Sequence, residues 1–214
     1  MGRTTLITIY HLNMSRSERI IWLMEELGLP YQLENYQRGP DMLAPPSLKQ
    51  VSPLGKAPAI RDGDLTIIES GAIVEYIINR HGGGRLGVSV NAPEYPRYLQ
   101  WIHFAEGSAM TQFMITLLFG GFVPGVDQSH PMVKRFNART PEMLHFLDSE
   151  LARAPYFVGK EFTAADIMMN FPFGMLTKFA RYDLSPYLHI TAHLARIAAR
   201  PAYQKAMALA DPPA

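Results

Sequence analysis

"SPLGKAPAIRDGDLTIIESGAIVEYIINR", Ser52–Arg80, decides how the first third of the chain folds. Arg61-Asp62-Gly63-Asp64 is a turn-forming tetrapeptide. The short apolar runs beside it, residues 57–60 and 65–68, therefore read as a hairpin. Helical spacing returns through Ile73, Tyr76 and Ile77. Two features stand out. Pro58 falls inside the first strand of the hairpin, where it removes a ladder donor and demands an edge or an irregularity. Glu69-Ser70 sets an acid and a hydroxyl where the second strand gives way to a helix.

Upstream, Thr5 to Tyr10 reads as a buried strand. "SERIIWLMEELG" places Ile20, Leu23, Met24 and Leu27 at helical spacing, with Gly28 as the stop. Tyr31 to Tyr36 alternates with period two and reads as a second strand. Residues 38–53 form a loop with one helical turn. The order β-α-β-loop-β-β-α is a small α/β unit with a mixed four-stranded sheet. "HGGGRLGVSVNAPEYP" is rich in breakers and reads as a linker. Beyond it every periodic segment is helical. Leu99, Ile102, Glu106, Met110, Phe113 and Leu117 form one stripe, and a second helix carries a kink or break before Pro141. In "FTAADI", Thr163 and Asp166 have capping-box spacing. The expected organisation is an α/β domain over 1–81, a linker over 82–92 and an all-α domain over 93–214.

The 214 residues are 48% hydrophobic and 18% charged, enough for a sizeable core. The 20 basic and 19 acidic residues leave a net charge of +1. No basic block points to nucleic acid or to an anionic membrane surface. The longest apolar region is broken by glycine and proline and is too short to span a bilayer. No cysteine is present. Thiolate metal sites, disulfides and a cysteine nucleophile are thereby excluded, and a cytoplasmic location is expected.

The two oddities are compatible with one ligand. A cis Ala57-Pro58 bond would turn the Ala57 N–H and C=O outward toward an extended peptide; a trans edge proline is the bland alternative. Ser70 and the first free N–H groups of a helix suit a carboxylate, and Glu69 suits an ammonium. An α-amino acid head group carries both, although Ser70 as a plain helix cap explains the same residues.

"SPLGKAPAI" followed by "IESGAIVEYI" resembles the glutathione-binding half of cytosolic glutathione S-transferases, in particular a bacterial and fungal subgroup. "SRSERIIWLMEELGLPYQLENYQR", "EFTAADIMM" and "RIAARPAYQKAM" are similar to further segments of that family in the same order. The resemblance implies a thioredoxin-like first domain and an all-helical second one. It implies Ala57 and Pro58 at the cysteinyl backbone of glutathione, Glu69 and Ser70 at its γ-glutamyl head, and Lys56, Arg38 or Lys49 near its carboxylates. It implies a homodimer.

A free thiol has a pKa of about 8.5, so the enzyme must favour the thiolate. The family places its activating hydroxyl after the first strand, here "IYHLNMSRSER". Ser15 is the first candidate, although Ser15 and Glu18 also have capping-box spacing. Tyr10, Asn13 and Ser17 are the others. Phe104, Met110, Phe113, Met114, Phe119, Phe122 and Phe171 make the helical half greasy enough for a hydrophobic electrophile, although core packing explains each singly. Conjugation, peroxide reduction and reductive or ether-cleaving chemistry would all use one thiolate. A non-catalytic binding or assembly module is the alternative from another class. His189 and His193, four apart, lack a third metal ligand and read as surface residues. Arg16 and Arg19 read as structural or interfacial charges.

Overall fold

The structure is a computed structural model. It describes residues 6–211, with Gly121 and Phe122 described in backbone only. Thr5, expected to open the first strand, and the side chain of Phe122 thus lie outside the described residues. The described residues up to Gly87 and those from Ala198 onward form one compact unit; Val88–Ile197 form the other. A division at residues 82–92 does not contain this return of the last helix to the first unit.

In the first unit the strands are β1 (Ile7–Leu12), β2 (Tyr31–Tyr36), β3 (Ala59–Asp62) and β4 (Leu65–Ile68), in the order β2-β1-β3-β4. β1 pairs parallel with β2 from Ile7↔Tyr31 to Leu12↔Tyr36 and antiparallel with β3. β3 and β4 form the expected hairpin. All six β1 residues are buried. The strand therefore runs two residues past Tyr10, the expected end. Pro58 precedes β3 instead of lying within it, so no ladder bond is lost. β3 is an interior strand, so of the two settings expected for Pro58, an edge or an irregularity, the edge is excluded.

Helix α1 (Glu18–Leu27) ends at Gly28, whose φ of +61° glycine adopts at less cost than residues bearing a Cβ. The Gly28 N–H donates to the Glu25 C=O and the Leu29 N–H to the Met24 C=O, closing the helix. Helix α2 (Ser70–Arg80) follows β4. In the other unit, α3 (Tyr95–Phe104) and α4 (Thr111–Leu117) are joined by a π-helical stretch, Ala105–Met110, and a second one, Leu118–Phe122, follows α4. α5 (Pro131–Leu151) runs unbroken through Pro141. Proline lacks only the one N–H that would bond four residues back, and the rest of the ladder continues. α6 (Ala164–Lys178) and α7 (Leu188–Ala198) complete this unit, while α8 (Pro201–Ala210) belongs to the first.

Thr163 and Asp166 form the capping box at the start of α6. The Asp166 carboxylate also accepts the Phe157 N–H at 3.0 Å. Burial pushes Asp166 up to about 6 against the pull of these hydrogen bonds. Among the described residues no helix is long and apolar enough to cross a membrane.

His193 is not a surface residue. It joins Ile190 and Ile197 on the buried face of α7, and burial lowers its pKa to about 4. The unfolded chain takes up that proton near pH 6.5. As pH falls through this window the unfolded state gains a proton that the folded state refuses. Folding should therefore lose about 3 kcal/mol between roughly pH 6.5 and pH 4 through this group. Asp166 acts with the opposite sign but is shared with a His193→Gln variant. Denaturant titrations across the window should show the wild type losing more stability than the variant. A difference between the two proteins that stays constant with pH would refute this.

Candidate functional site

Strand register assembles the site. The last rung of β3 with β4 is Ala59↔Ile68, and its last rung with β1 is Tyr10↔Ala59. One step further stand Pro58, Glu69 and His11; two steps further stand Ala57, Ser70 and Leu12. The peptide pair, the acid–hydroxyl pair and the end of β1 thus meet at one end of the sheet. Ala57 packs against the buried cluster of Tyr10, Leu12, Leu48 and Ala59. The Ala57-Pro58 bond is cis.

The loop before that bond is held by a residue that sequence reading passed over. The Ser52 hydroxyl donates to the Lys56 C=O at 2.8 Å and accepts the Lys56 N–H at 3.3 Å. Gly55 has φ +60°, and a Cβ there would lie 3.0 Å from Lys49 Cγ. The Lys49 stem thus lies against the loop that carries Lys56. Both lysines are exposed.

Glu69 caps α2 with φ +74° and ψ 120°, outside the regions that ordinary residues favour. Such strain persists where surrounding structure imposes it and gathers at ligand sites. Nothing in the residue type announces it. Ser70 is the first helical residue, so Glu69, not Ser70, is the cap. Ser70 is 3% exposed, and its hydroxyl has no hydrogen-bond partner among the described residues. The Glu69 carboxylate is exposed, beside the unbonded first N–H groups of the helix.

The four thiol-activation candidates occupy different settings. Tyr10 is 1% exposed, with its ring against Tyr36 and under the Arg61 guanidinium. Burial pushes its phenol above the ordinary value, with Arg61 pulling the other way. Ser17 is fully buried. It caps α1, so Glu18 is the first helical residue and the expected Ser15–Glu18 capping box does not form. The Ser15 oxygen instead accepts the Ser17 N–H at 3.3 Å and meets the Ser17 hydroxyl at 2.7 Å. Asn13 Oδ1 accepts the Arg38 N–H at 2.8 Å, which leaves the Asn13 NH2 group facing away from that bond. The Arg38 guanidinium donates to the Asn13 and Met42 carbonyls at 3.2 and 2.8 Å. Partial burial lowers its pKa from the ordinary value. Arg38 thus clamps the loop that presents Asn13. Arg16 is half-exposed, and Arg19 is buried in α1.

This arrangement has relatives. The family model for the glutathione S-transferase N-terminal domain matches residues 6–79, and that for the C-terminal domain matches residues 110–201. Glutathione S-transferase 3 of Schizosaccharomyces pombe is 33% identical over 212 residues, covering 92% of this chain and 85% of that protein. The chain belongs to the glutathione S-transferase family. A crystal structure of a glutathione S-transferase from Actinobacillus pleuropneumoniae superposes with a TM-score of 0.86 at 29% identity, over 96% of this chain and 93% of that one. The disulfide-bond oxidoreductase YfcG of Escherichia coli is 27% identical, covering 94% of each chain.

In this member of the family the helical unit has its own open cavity of about 560 Å³. Phe104 lines it, together with Phe136, Arg139, Glu142, Met143 and Phe146. Of the other expected pocket residues, Met110, Phe113 and Phe171 are buried in the core, and Met114 and Phe119 are half-buried off the cavity. The α5 contribution was not read from sequence, because its charged residues resemble a solvated face. Among the described residues no three His, Asp or Glu side chains gather as a metal site.

The Glu69 backbone yields a separable prediction. Glycine tolerates a positive φ, whereas alanine does not. Glu69→Gly should be about 1 kcal/mol more stable than Glu69→Ala, because it relieves the strain that Ala retains. Thermal melts of the two variants measure this, and a less stable Gly variant would contradict it.

Proposed function

We propose that this chain binds glutathione along Ala57, Glu69 and Ser70 and activates its thiol for attack on a hydrophobic electrophile. The observation that carries the reading is the Glu69-Ser70 junction. A strained acid beside an uncommitted hydroxyl at a helix start suits a group bearing both ammonium and carboxylate. The unbonded helix N–H groups and the helix dipole add to the pull on the carboxylate. The backbone of half-buried Ala57 beside the cis Pro58 suits the cysteinyl peptide, and Lys49 and Lys56 suit a further carboxylate.

Activation needs about 1.4 kcal/mol of preference for the thiolate per unit of pKa lowering. One charge-assisted hydrogen bond from a hydroxyl or amide is of that order. Ser15 is the donor we favour, with the Asn13 amide as second donor. Ser15 is itself buried at 6% exposure, but Tyr10 at 1% and Ser17 at 0% lie deeper, which counts against their direct contact. The cavity beside Phe104 has a volume in the range typical of small-molecule sites. The homodimer and the cytoplasmic location implied by the family belong to the same proposal.

The kinship with a disulfide-bond oxidoreductase supports a second reading. This chain has no cysteine. Any disulfide it reduces must draw both thiols from glutathione, two molecules of which become one disulfide as the substrate becomes two thiols. Assays with aryl halides, hydroperoxides and disulfides side by side separate the two chemistries.

Two outcomes are expected. By calorimetry, Glu69→Ala and Ser70→Ala should each weaken glutathione binding by about tenfold or more, as expected for hydrogen bonds to charged groups. Wild-type affinity in both variants would remove the assignment. In ultraviolet titration of bound glutathione, Ser15→Ala should raise the thiol pKa by about one unit or more. An unchanged value would pass the role to Asn13. A wild-type thiol pKa no lower than that of free glutathione would leave only the non-catalytic binding module.

A further inference from the structure

His11 lies in β1 and is 1% exposed, yet nothing in the function above uses it. Its Nε2 lies 2.8 Å from the Ala210 carbonyl oxygen, and its Nδ1 lies 2.8 Å from Ser17 Oγ. A carbonyl only accepts, so Nε2 carries a proton. Burial disfavours the charged form of His11, and in the neutral Nε2–H ring Nδ1 holds a lone pair. The Ser17 O–H donates to it at 2.8 Å in preference to the Leu12 carbonyl, which is farther away at 3.4 Å. The Ser17 oxygen then accepts the Leu12 N–H at 3.2 Å and the Ser15 O–H at 2.7 Å, which fills both its lone pairs. Ser15 thus points its proton inward. It accepts the Ser17 N–H at 3.3 Å and keeps one lone pair uncommitted.

We propose that His11 is the terminal proton acceptor for the glutathione thiol, reached through the hydroxyls of Ser15 and Ser17. This rests on the reading that the thiol meets Ser15. The S–H bond breaks as Ser15 Oγ gains its proton. The original Ser15 proton moves to Ser17 Oγ, and the Ser17 proton moves to His11 Nδ1. Thiol and neutral imidazole become thiolate and imidazolium, with no change in oxidation state. Every bond in the chain then reverses, and Ser15 donates to the sulfur.

Two neighbours offset part of the burial cost of the charge that results. The Nε2–H bond to Ala210 lies at the end of α8, where the helix dipole is negative. The Asp211 carboxylate, which accepts the Met14 N–H at 3.3 Å, also raises the His11 pKa. From α1 the ring meets the Ser17 hydroxyl; the charged residues of that first turn are Glu18 and Arg19, both buried. On β2 its register partner is the uncharged Asn35.

Ser17→Ala interrupts the chain while leaving Ser15 and His11 in place. The bound thiol pKa should rise by about one unit or more, and the pH profile of turnover should shift with it. Ser17→Thr, which keeps the hydroxyl, should restore both. NMR of isotope-labelled histidine in the wild type provides a readout that needs no variant. His11 should be the neutral Nε2–H tautomer in the free protein and protonated with glutathione bound at the same pH. A wild-type thiol pKa in Ser17→Ala, or a neutral His11 in the complex, overturns the relay. If Ser15→Ala also leaves the thiol pKa unchanged, the reading that the thiol meets Ser15 fails as well. If Ser15→Ala raises it and Ser17→Ala does not, only the relay fails.

Discussion

A histidine in a strand buried on both faces must find two hydrogen-bond partners inside the protein. His11 takes one from the start of α1 and one from the end of α8, 199 residues away. Leaving either ring nitrogen unpaired there would cost about 1–3 kcal/mol. That requirement fixes the direction in which the loop after β1 turns, because Ser17 must reach back to the strand it has just left. The loop in turn sets Ser15 and Asn13 at the end of the sheet where Ala57, Glu69 and Ser70 converge. α8 is held to α1 by a bidentate pair between Arg200 and Glu26, at 2.6 and 2.7 Å. Trp22 adds an indole bond to the same carboxylate and an edge contact to Tyr203.

Much of the first unit was legible in the sequence. β2, the Gly28 stop, the hairpin around Gly63 and the start of α2 all follow from local chemistry, because turn residues and periodicity act within a few positions. The end of β1 was not legible. His11 is polar, and a polar residue after an apolar run reads as an exit from the core unless its partners are known. His193 was misread for the same reason. In the helical unit the buried face is offset by one residue from the stripe counted in the sequence: Leu99 and Leu117 end half-buried, while Tyr98, Trp101 and Thr116 lie inside.

The site divides along the same line. Residue types at Ala57-Pro58 and Glu69-Ser70 suggested a zwitterionic peptide from sequence, because that chemistry is local. The positive φ of Glu69 and the Ser52 clamp on Lys56 belong to geometry. Arg38 suits a carboxylate by residue type, and its hydrogen bonds to the Asn13 and Met42 carbonyls, which anchor the Asn13 loop, belong to geometry as well.

The return of α8 has a consequence for how the protein is made. The strands and helices of the first unit leave the ribosome well before residues 198–211, with all of Val88–Ile197 translated in between. Until α8 arrives, Glu26 lacks its arginine and the imidazole of β1 lacks its carbonyl. The nascent first unit can form its sheet from local pairings, but the loop after β1 has no fixed hydrogen-bond direction. Maturation of that loop is therefore a late step of synthesis, and it draws on a contact of high sequence separation.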